Sequence, residues 1–148
     1  MPDISLPNAA ATEALGHRLA ARLRSGDVVA LQGGLGAGKS TLARGVLAGL
    51  GHRGDAPSPT FPLIIPYDPP EVRLPVWHVD LYRLDGGADV AELGLDEVLA
   101  HGALLIEWPE RLGEAWRRDA LWLSLVAEGG ARRLTATVPA AWAQRWPP

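Results

Sequence analysis

A glycine-rich run in the first third of the chain has the residue types and spacing that phosphate binding needs. Residues 33–40, GGLGAGKS, satisfy the P-loop pattern of glycine, four residues, glycine, lysine and serine or threonine. The glycines let the backbone curl so that successive N–H groups face an anion, and the following helix adds its positive N-terminal end. The run therefore predicts a nucleotide-phosphate site. The alternative is a Gly-rich turn that only joins a strand to a helix.

Two side chains of this run bring specific chemistry. We expect Lys39 at the β- and γ-phosphates, and we expect the Ser40 hydroxyl to bind Mg²⁺ together with phosphate oxygens. Lys39 is the only lysine among the fourteen Lys and Arg residues, and a compact ammonium suits a tight loop better than the wider guanidinium. The residues expected at the nucleotide phosphates are Gly33, Gly36, Ala37, Gly38, Lys39, Ser40 and Thr41.

Carboxylates that follow two apolar runs are candidates for the acidic partners that a P-loop needs. Asp80 follows residues 76–79, VWHV, and Glu107 follows residues 104–106, LLI. We expect both carboxylates to face the phosphates, with Glu107 nearer the metal and Asp80 orienting water or a switch loop. Each could instead be a solvent-exposed carboxylate at a strand end.

A hydroxyl in the loop after the P-loop helix is a further candidate. Thr60 lies in residues 57–61, PSPTF, where it could sense the γ-phosphate and Mg²⁺ and order the loop in the triphosphate state. A plain Pro-rich turn is the competing interpretation. His78 by itself is interpreted as a packed strand residue rather than a base, and Trp108 as core or a surface anchor.

The elements that position these residues follow from hydrophobic periodicity. Asn8 is the predicted cap of a helix that runs to about Leu23, residues 28–31 form a buried strand, and residues 39–50 form a second helix. Later segments are predicted as a hairpin from 63–67 and 74–79, helical pieces between 89 and 100, a buried strand at 103–106, a hairpin around 128–131 and a final turn at 142–146. The order predicts an α/β fold: a P-loop NTPase-like three-layer domain with a central mixed sheet and a C-terminal antiparallel hairpin.

Size and composition limit the possible classes of protein. A chain of 148 residues suits one domain, residues 1–148, rather than two. Its net charge of −3 disfavours tight, sequence-independent nucleic-acid binding by the chain alone. The absence of cysteine excludes disulfide frameworks and thiolate zinc sites. Because neither a signal-peptide pattern nor an apolar run long enough for a bilayer is present, we expect a cytoplasmic protein without membrane partners.

Four motifs, taken in order, resemble one protein family. They are residues 36–41 (GAGKST), 58–61 (SPTF), 78–84 (HVDLYRL) and 106–111 (IEWPER). In this order and spacing the chain is similar to the bacterial TsaE (YjeE) family, the ATPases of tRNA threonylcarbamoyladenosine biosynthesis. The resemblance spans about Leu15 to Arg111. Gly34 departs from it where the family often has an acidic residue, and Ser40 stands where threonine is commoner, although serine keeps the metal-binding hydroxyl.

The resemblance implies a specific set of roles. It implies ATP and Mg²⁺ as ligands, Ser40 and Glu107 as the magnesium-linked pair, Thr60 in a switch loop and Asp80 in the hydrolytic site. It places the start of the first helix, Asn8 and Ala9, beside the adenine. It also implies TsaB and TsaD as partner proteins, tRNA reached through their complex, and slow hydrolysis by the isolated chain.

Other classes of function remain open at this point. A small-molecule kinase could use the same loop and acids, but it needs an acceptor pocket and usually an arginine-bearing lid, and Arg117-Arg118 and Arg132-Arg133 are isolated pairs. A GTPase is disfavoured, because the Asn-Lys-x-Asp motif that reads the base needs its own lysine and Lys39 is the only lysine of the chain. A nucleotide-gated binding module, whose ATP state controls a protein interface, is the third alternative.

Overall fold

Seven strands form one mixed sheet in the computed structural model, which describes residues 3–34, 36–57, 64–82 and 93–148. The strands are β1 (Ile4–Leu6), β2 (Val28–Gln32), β3 (Ile64–Tyr67), β4 (Val76–Asp80), β5 (Ala103–Glu107), β6 (Leu121–Glu128) and β7 (Ala131–Thr137). The helices are α1 (Ala9–Arg22), α2 (Lys39–Gly49), α3 (Leu95–Val98) and α4 (Glu114–Arg117), with 3-10 turns at Pro109–Arg111 and Ala140–Trp142. Thr60 lies outside the described residues, so its expected role stays a prediction.

The order of the strands brings the ends of the central ones together. Across the sheet the order is β1-β7-β6-β2-β5-β4-β3. Strands β6, β2, β5 and β4 run parallel to one another, whereas β3 pairs antiparallel with β4 at one side, β7 pairs antiparallel with β6 at the other, and β1 pairs antiparallel with β7. Since the carboxyl ends of parallel strands share one edge of a sheet, the residues that follow β2, β4 and β5 are neighbours there.

Both faces of the sheet are covered, because its central strands are apolar on both sides. On β2, Val29 and Leu31 belong to the core beneath α1 and α2, whereas Val28 and Ala30 belong to a second core on the opposite face. Leu95 of α3 packs into that second core. Helices on both faces of a mixed sheet are the α/β architecture that the sequence predicts.

Glycines let α1 and α2 approach closely on their shared face. A Cβ atom on Gly45 of α2 would lie 2.5 Å from the carbonyl oxygen of Glu13, and one on Gly16 of α1 would lie 2.7 Å from the carbonyl oxygen of Leu42. Any larger residue at these positions would push the helices apart. Close packing keeps the N-terminus of α1 beside the N-terminus of α2.

The opposite end of α1 is held by arginines. Arg145 donates to both carboxylate oxygens of Asp27, at 2.7 and 2.9 Å, and also to the carbonyl oxygen of Arg22 at 2.8 Å. Arg73 donates to two further carbonyls at the end of the helix. Carbonyls in the last turn lack intrahelical partners, so these guanidinium groups satisfy them and fix the C-terminal tail against α1.

The predicted elements are confirmed where the structure describes them. Asn8 caps α1, its Oδ1 accepting from the Ala11 N–H at 2.9 Å, and α1 ends within about a residue of the predicted position. The strand, loop and helix around residue 33 are present, as are the hairpins β3–β4 and β6–β7. None of the helices in the described ranges has the length and hydropathy that crossing a membrane requires.

Candidate nucleotide site

The phosphate loop connects the carboxyl end of β2 to the first turn of α2. Gly33 opens it in a narrow space, since a Cβ atom there would lie 2.7 Å from the carbonyl oxygen of Leu125. Gly38 closes it as the N-cap residue of α2 with φ of 103°, a left-handed conformation that favours glycine. Gly38 supplies no side-chain cap, so the first N–H groups of α2 are available to an anion.

Lys39 lies over this loop and is almost completely buried. Its Nζ donates to the carbonyl oxygen of Gly33 at 2.7 Å and lies 4.0 Å from the centre of a ring of Trp108. The ammonium has three donors, so it can keep the bond to Gly33 and still offer hydrogen bonds to a phosphate. The lone lysine of the chain therefore lies at the mouth of the loop, where the pattern predicts it.

Ser40 and Thr41 lie in the first turn of α2, and both are half-buried. Thr41 Oγ1 accepts a hydrogen bond from Arg44 at 3.2 Å. The position of Ser40, directly after the lysine, brings its hydroxyl to the same end of the helix as the free N–H groups. Gly36 and Ala37 complete the loop, and the Ala37 N–H donates to the Gly34 carbonyl at 3.2 Å.

Asp80 and Glu107 are paired residues at the carboxyl ends of the neighbouring strands β4 and β5. Strand alternation puts them on the α2 face of the sheet, because Val76 and Leu105, which share their faces, belong to the core beneath α1 and α2. Each residue is only 3% exposed. The two carboxylates thus lie on the same side of the sheet as the phosphate loop, and neither is a solvated strand end.

The environment of Asp80 changes the affinity of its carboxylate for a proton. Burial raises the pKa of Asp80, and the neighbouring Glu107 carboxylate raises it further. A hydrogen bond from the Tyr82 N–H to Asp80 Oδ1, at 2.8 Å, and the charges of Lys39 and His78 oppose that rise. Asp80 is therefore a stronger base than an ordinary aspartate, as expected of a group that accepts protons.

His78 is a titratable neighbour of both carboxylates. It lies on the same face of β4 as Asp80, and its Nε2 is 2.7 Å from Glu107 Oε2 in a buried hydrogen bond. Sequence reasoning missed this role, because His78 is interpreted there as a packed strand residue. The one available signal was a polar ring inside an otherwise apolar strand.

One aromatic side chain covers the lysine, and a second packs on the first. Trp108 directly follows β5 with φ of 57°, the one positive φ of a non-glycine residue in the part of the chain that the structure describes. Tyr82 packs on it with ring centres 4.7 Å apart and is itself half exposed. Trp108 is partly buried and packs against the second core, and it also forms one wall of the phosphate site through its contact with Lys39.

A pocket of about 160 Å³ opens beside the loop, between the N-termini of α1 and α2. The expected adenine neighbours Asn8 and Ala9 lie here together with Gly38 and Thr41. Sequence reasoning missed Arg132, whose guanidinium donates to the Gly36 carbonyl at 2.8 Å. The full lining is Asn8, Ala9, Thr12, Gly38, Thr41, Gly130 and Arg132.

The residues present fit a magnesium ion that is shared with phosphates. The described ranges contain no cluster of three or more histidine, cysteine or carboxylate side chains that could hold a metal by itself. Magnesium bound to nucleotides needs only one or two protein ligands, because phosphate oxygens and water supply the others. The Ser40 hydroxyl and the Glu107 carboxylate are hard oxygen donors of this kind, and both lie at the phosphate-loop edge of the sheet.

Comparisons with known proteins agree on one family. The family model described as "Threonylcarbamoyl adenosine biosynthesis protein TsaE" matches residues 6–134. A "tRNA threonylcarbamoyladenosine biosynthesis protein TsaE" from Streptomyces coelicolor is 46% identical over 112 residues, 75% of this chain and 76% of that protein. The protein of the same description from Bacillus subtilis is 36% identical over 123 residues, covering 82% and 75%. The crystal structure of Bacillus subtilis YdiB superposes with a TM-score of 0.75 at 30% identity, over 95% of this chain and 86% of that one.

Proposed function

The chain belongs to the TsaE family of threonylcarbamoyl adenosine biosynthesis proteins, and from this premise we propose that it is a Mg²⁺-dependent ATPase that supports threonylcarbamoyladenosine modification of tRNA. Its relatives are named for tRNA threonylcarbamoyladenosine biosynthesis, and its own role lies in that process. ATP hydrolysis is the more specific part of this proposal, and the chemistry of the site supports it.

One observation carries the ATPase assignment: an ammonium and two buried carboxylates meet beside the phosphate loop. Lys39 is close enough to Asp80 to lower its pKa, and Glu107 is close enough to raise it. A turn that only joined a strand to a helix would need none of these groups. Neighbouring carboxylates in a buried place are unfavourable for folding alone, so their presence favours a site that binds a cation or moves a proton.

In the proposed reaction, the chain binds and orients the polyphosphate of ATP. Lys39 and the first N–H groups of α2 contact its oxygens, and the Ser40 hydroxyl and the Glu107 carboxylate would hold Mg²⁺. The metal, when bound, neutralises charge that develops on the phosphate oxygens. Asp80 Oδ1 is occupied by the Tyr82 N–H, which leaves Oδ2 to orient a water molecule. Oδ2 would accept the proton of that water as its oxygen bonds to the γ-phosphorus and the bond from the γ-phosphorus to the departing ADP oxygen breaks.

The pocket between α1 and α2 is the natural place for the nucleoside end of ATP. It begins at Gly38 and Thr41, next to the loop, and ends at Asn8 and Ala9. Arg132 closes one side and is held by the Gly36 carbonyl. We therefore assign Asn8, Ala9 and Arg132 to nucleoside binding.

We propose TsaB and TsaD as partners and the cytoplasm as the location. The chain has a net charge of −3, which gives it no general attraction for tRNA. Contact with tRNA is therefore made through the complex and not by this chain alone. We expect slow turnover by the isolated chain, as the family resemblance implies, and faster turnover in the complex.

A phosphate-release assay tests the proposed function. The purified chain is given ATP and Mg²⁺ alone, then with TsaB and TsaD, and then also with tRNA. We expect slow release alone, faster release with the partners and almost none for Lys39→Ala. Arg18→Ala, which changes an exposed residue of α1, is the control and should match the unchanged protein. Release that is independent of Lys39, or that requires a small hydroxyl compound instead of the partners, would contradict the assignment and favour a kinase.

A further inference from the structure

The histidine of β4 contacts the carboxylate that we assign to magnesium. His78 Nε2 lies 2.7 Å from Glu107 Oε2 although the residues are 29 positions apart in the chain. Both side chains are almost completely buried, at 2% and 4% exposure. Since a carboxylate has no proton to donate when it is ionised, His78 Nε2–H is the donor and Glu107 Oε2 the acceptor.

The other ring nitrogen of His78 makes no hydrogen bond that would compete with Glu107 for the orientation of the ring. Nδ1 is buried and has no hydrogen-bond partner among the described residues. The contact with Glu107 is therefore the polar interaction that fixes the orientation of the ring and the proton on Nε2. If this position served only for packing, an apolar side chain would fill it without burying an unsatisfied nitrogen.

The position of Glu107 explains why its carboxylate needs such a contact. Asp80 lies directly opposite on β4, and repulsion between the two carboxylates disfavours their close approach. A hydrogen bond to Oε2 holds the group in place and leaves Oε1 free. Groups that bond to a metal ligand from behind orient it and increase its affinity for the metal.

We infer that His78 is a positioning residue, which holds Glu107 through Oε2 so that Oε1 faces the magnesium ion. This role rests on the proposed function, because it requires Glu107 to be the metal ligand. It extends that function to a residue that contacts neither the nucleotide nor the metal. The hydrogen bond is made by Nε2, the ring nitrogen farther from the backbone, so two amide substitutions of different length can separate positioning from packing.

The test is the affinity of the full chain for Mn²⁺, measured by electron paramagnetic resonance in the presence of a non-hydrolysable ATP analogue. In His78→Gln the side-chain amide reaches the place of Nε2 and can donate to Glu107. In His78→Asn the amide ends near the place of Nδ1 and is too short. We expect Mn²⁺ affinity within a few-fold of the unchanged protein for His78→Gln, and a loss of about 10- to 100-fold for His78→Asn.

Controls separate positioning from folding. Nucleotide affinity without metal should be the same in both variants, and thermal unfolding should confirm that both are folded. His101→Asn changes an exposed histidine at the other end of β5 and should leave Mn²⁺ affinity unchanged. If neither His78 variant folds, nitrogen NMR of the unchanged protein should show the ring proton of His78 on Nε2, as the bond to Glu107 requires, and a neutral ring with its proton on Nδ1 would overturn the inference.

Three further results would overturn the inference. Equal Mn²⁺ affinity in His78→Asn and the unchanged protein would show that the hydrogen bond has no part in metal binding. Equal losses in His78→Gln and His78→Asn would show that the ring acts through its shape or charge instead. Absence of any effect of metal on nucleotide binding by the unchanged protein would overturn both this inference and the proposed function, so the two failures are distinguishable.

Discussion

Two buried charged clusters lie at opposite ends of the sheet, and they are built differently. At the end where β2 begins, Asp27 and Arg145 are each 7% exposed and form a two-point ion pair, with the guanidinium stacked 3.9 Å from a ring centre of Trp142. At the end where β2 finishes, Lys39 shares a small volume with two carboxylates. The charges of the first cluster are matched within the chain, whereas the second cluster has crowded acids and free N–H groups.

This difference separates a structural cluster from a functional one. The arginine end also contains a larger cavity of about 670 Å³, but Arg145 and Arg73, which line it, already satisfy the carbonyls of α1. We therefore assign no ligand to it. The smaller pocket adjoins the phosphate loop and the first turn of α2 at Gly38 and Thr41, so chemistry and not cavity size identifies the site.

The largest expected effect concerns the arginine end. Arg145→Met keeps much of the side-chain volume but leaves the Asp27 carboxylate buried without its partner. We expect the free energy of unfolding to fall by about 3–5 kcal/mol, as is usual when one member of a buried ion pair is removed. Urea unfolding measures this loss. Arg118→Met, at an exposed position, should change stability by no more than about 0.5 kcal/mol, and a similar small change for Arg145→Met would refute the structural role.

The next prediction concerns Glu107, whose replacement should reduce activity and not stability. Glu107→Gln removes one of the two crowded negative charges and keeps an oxygen that can accept from His78. We expect stability to be unchanged or raised, while Mg²⁺-dependent ATP turnover falls about 100-fold, equivalent to about 2.7 kcal/mol. Nucleotide binding should be largely kept. Unfolding curves and phosphate release check the two halves, and full turnover would move the acidic role to Asp80.

A smaller effect, with a defined pH dependence, concerns Asp80. Because folding raises the pKa of Asp80, its ionised form is disfavoured in the folded state and lowers stability at neutral pH. That penalty disappears as the pH falls through the raised pKa toward the ordinary value of about 4. Asp80→Asn, which keeps an acceptor for the Tyr82 N–H, should therefore be more stable than the unchanged protein at pH 7 in magnesium-free buffer. Its advantage should shrink toward pH 4.

Urea unfolding at several pH values checks this prediction. Asp119→Asn, at an exposed position, serves as the control and should show no comparable gain. A constant advantage of Asp80→Asn at every pH would mean that something other than the Asp80 charge accounts for it.

The smallest expected effect concerns the nucleoside pocket. Arg132→Met removes the guanidinium that lies between the Gly36 carbonyl and the pocket. We expect ATP affinity to fall about fivefold, or about 1 kcal/mol. The neighbouring Arg133 points to the other face and pairs with Glu128 at 3.2 Å, so Arg133→Met is a matched control. Equal losses in the two variants would remove Arg132 from the site.

The features that the sequence predicts correctly are those that depend on local patterns. The loop, the flanking strand and helix, and the strands that end at Asp80 and Glu107 depend on local patterns of glycines and apolar runs, and those predictions hold. The contact between Arg132 and the loop joins residues 96 positions apart. This contact exists because β6 pairs with β2 on one side and with β7 on the other. No local sequence pattern specifies that pairing. The bond between His78 and Glu107 likewise depends on the register of β4 against β5.

A calorimetric titration of ATP into the chain, with and without Mg²⁺, tests the central claim most directly. The unchanged protein should bind ATP more tightly with magnesium, and Lys39→Ala should show no measurable binding under the same conditions, because the ammonium at the mouth of the loop is lost. Arg18→Ala should bind as the unchanged protein does. Equal ATP affinity in Lys39→Ala and the unchanged protein would contradict the claim that this loop holds the nucleotide.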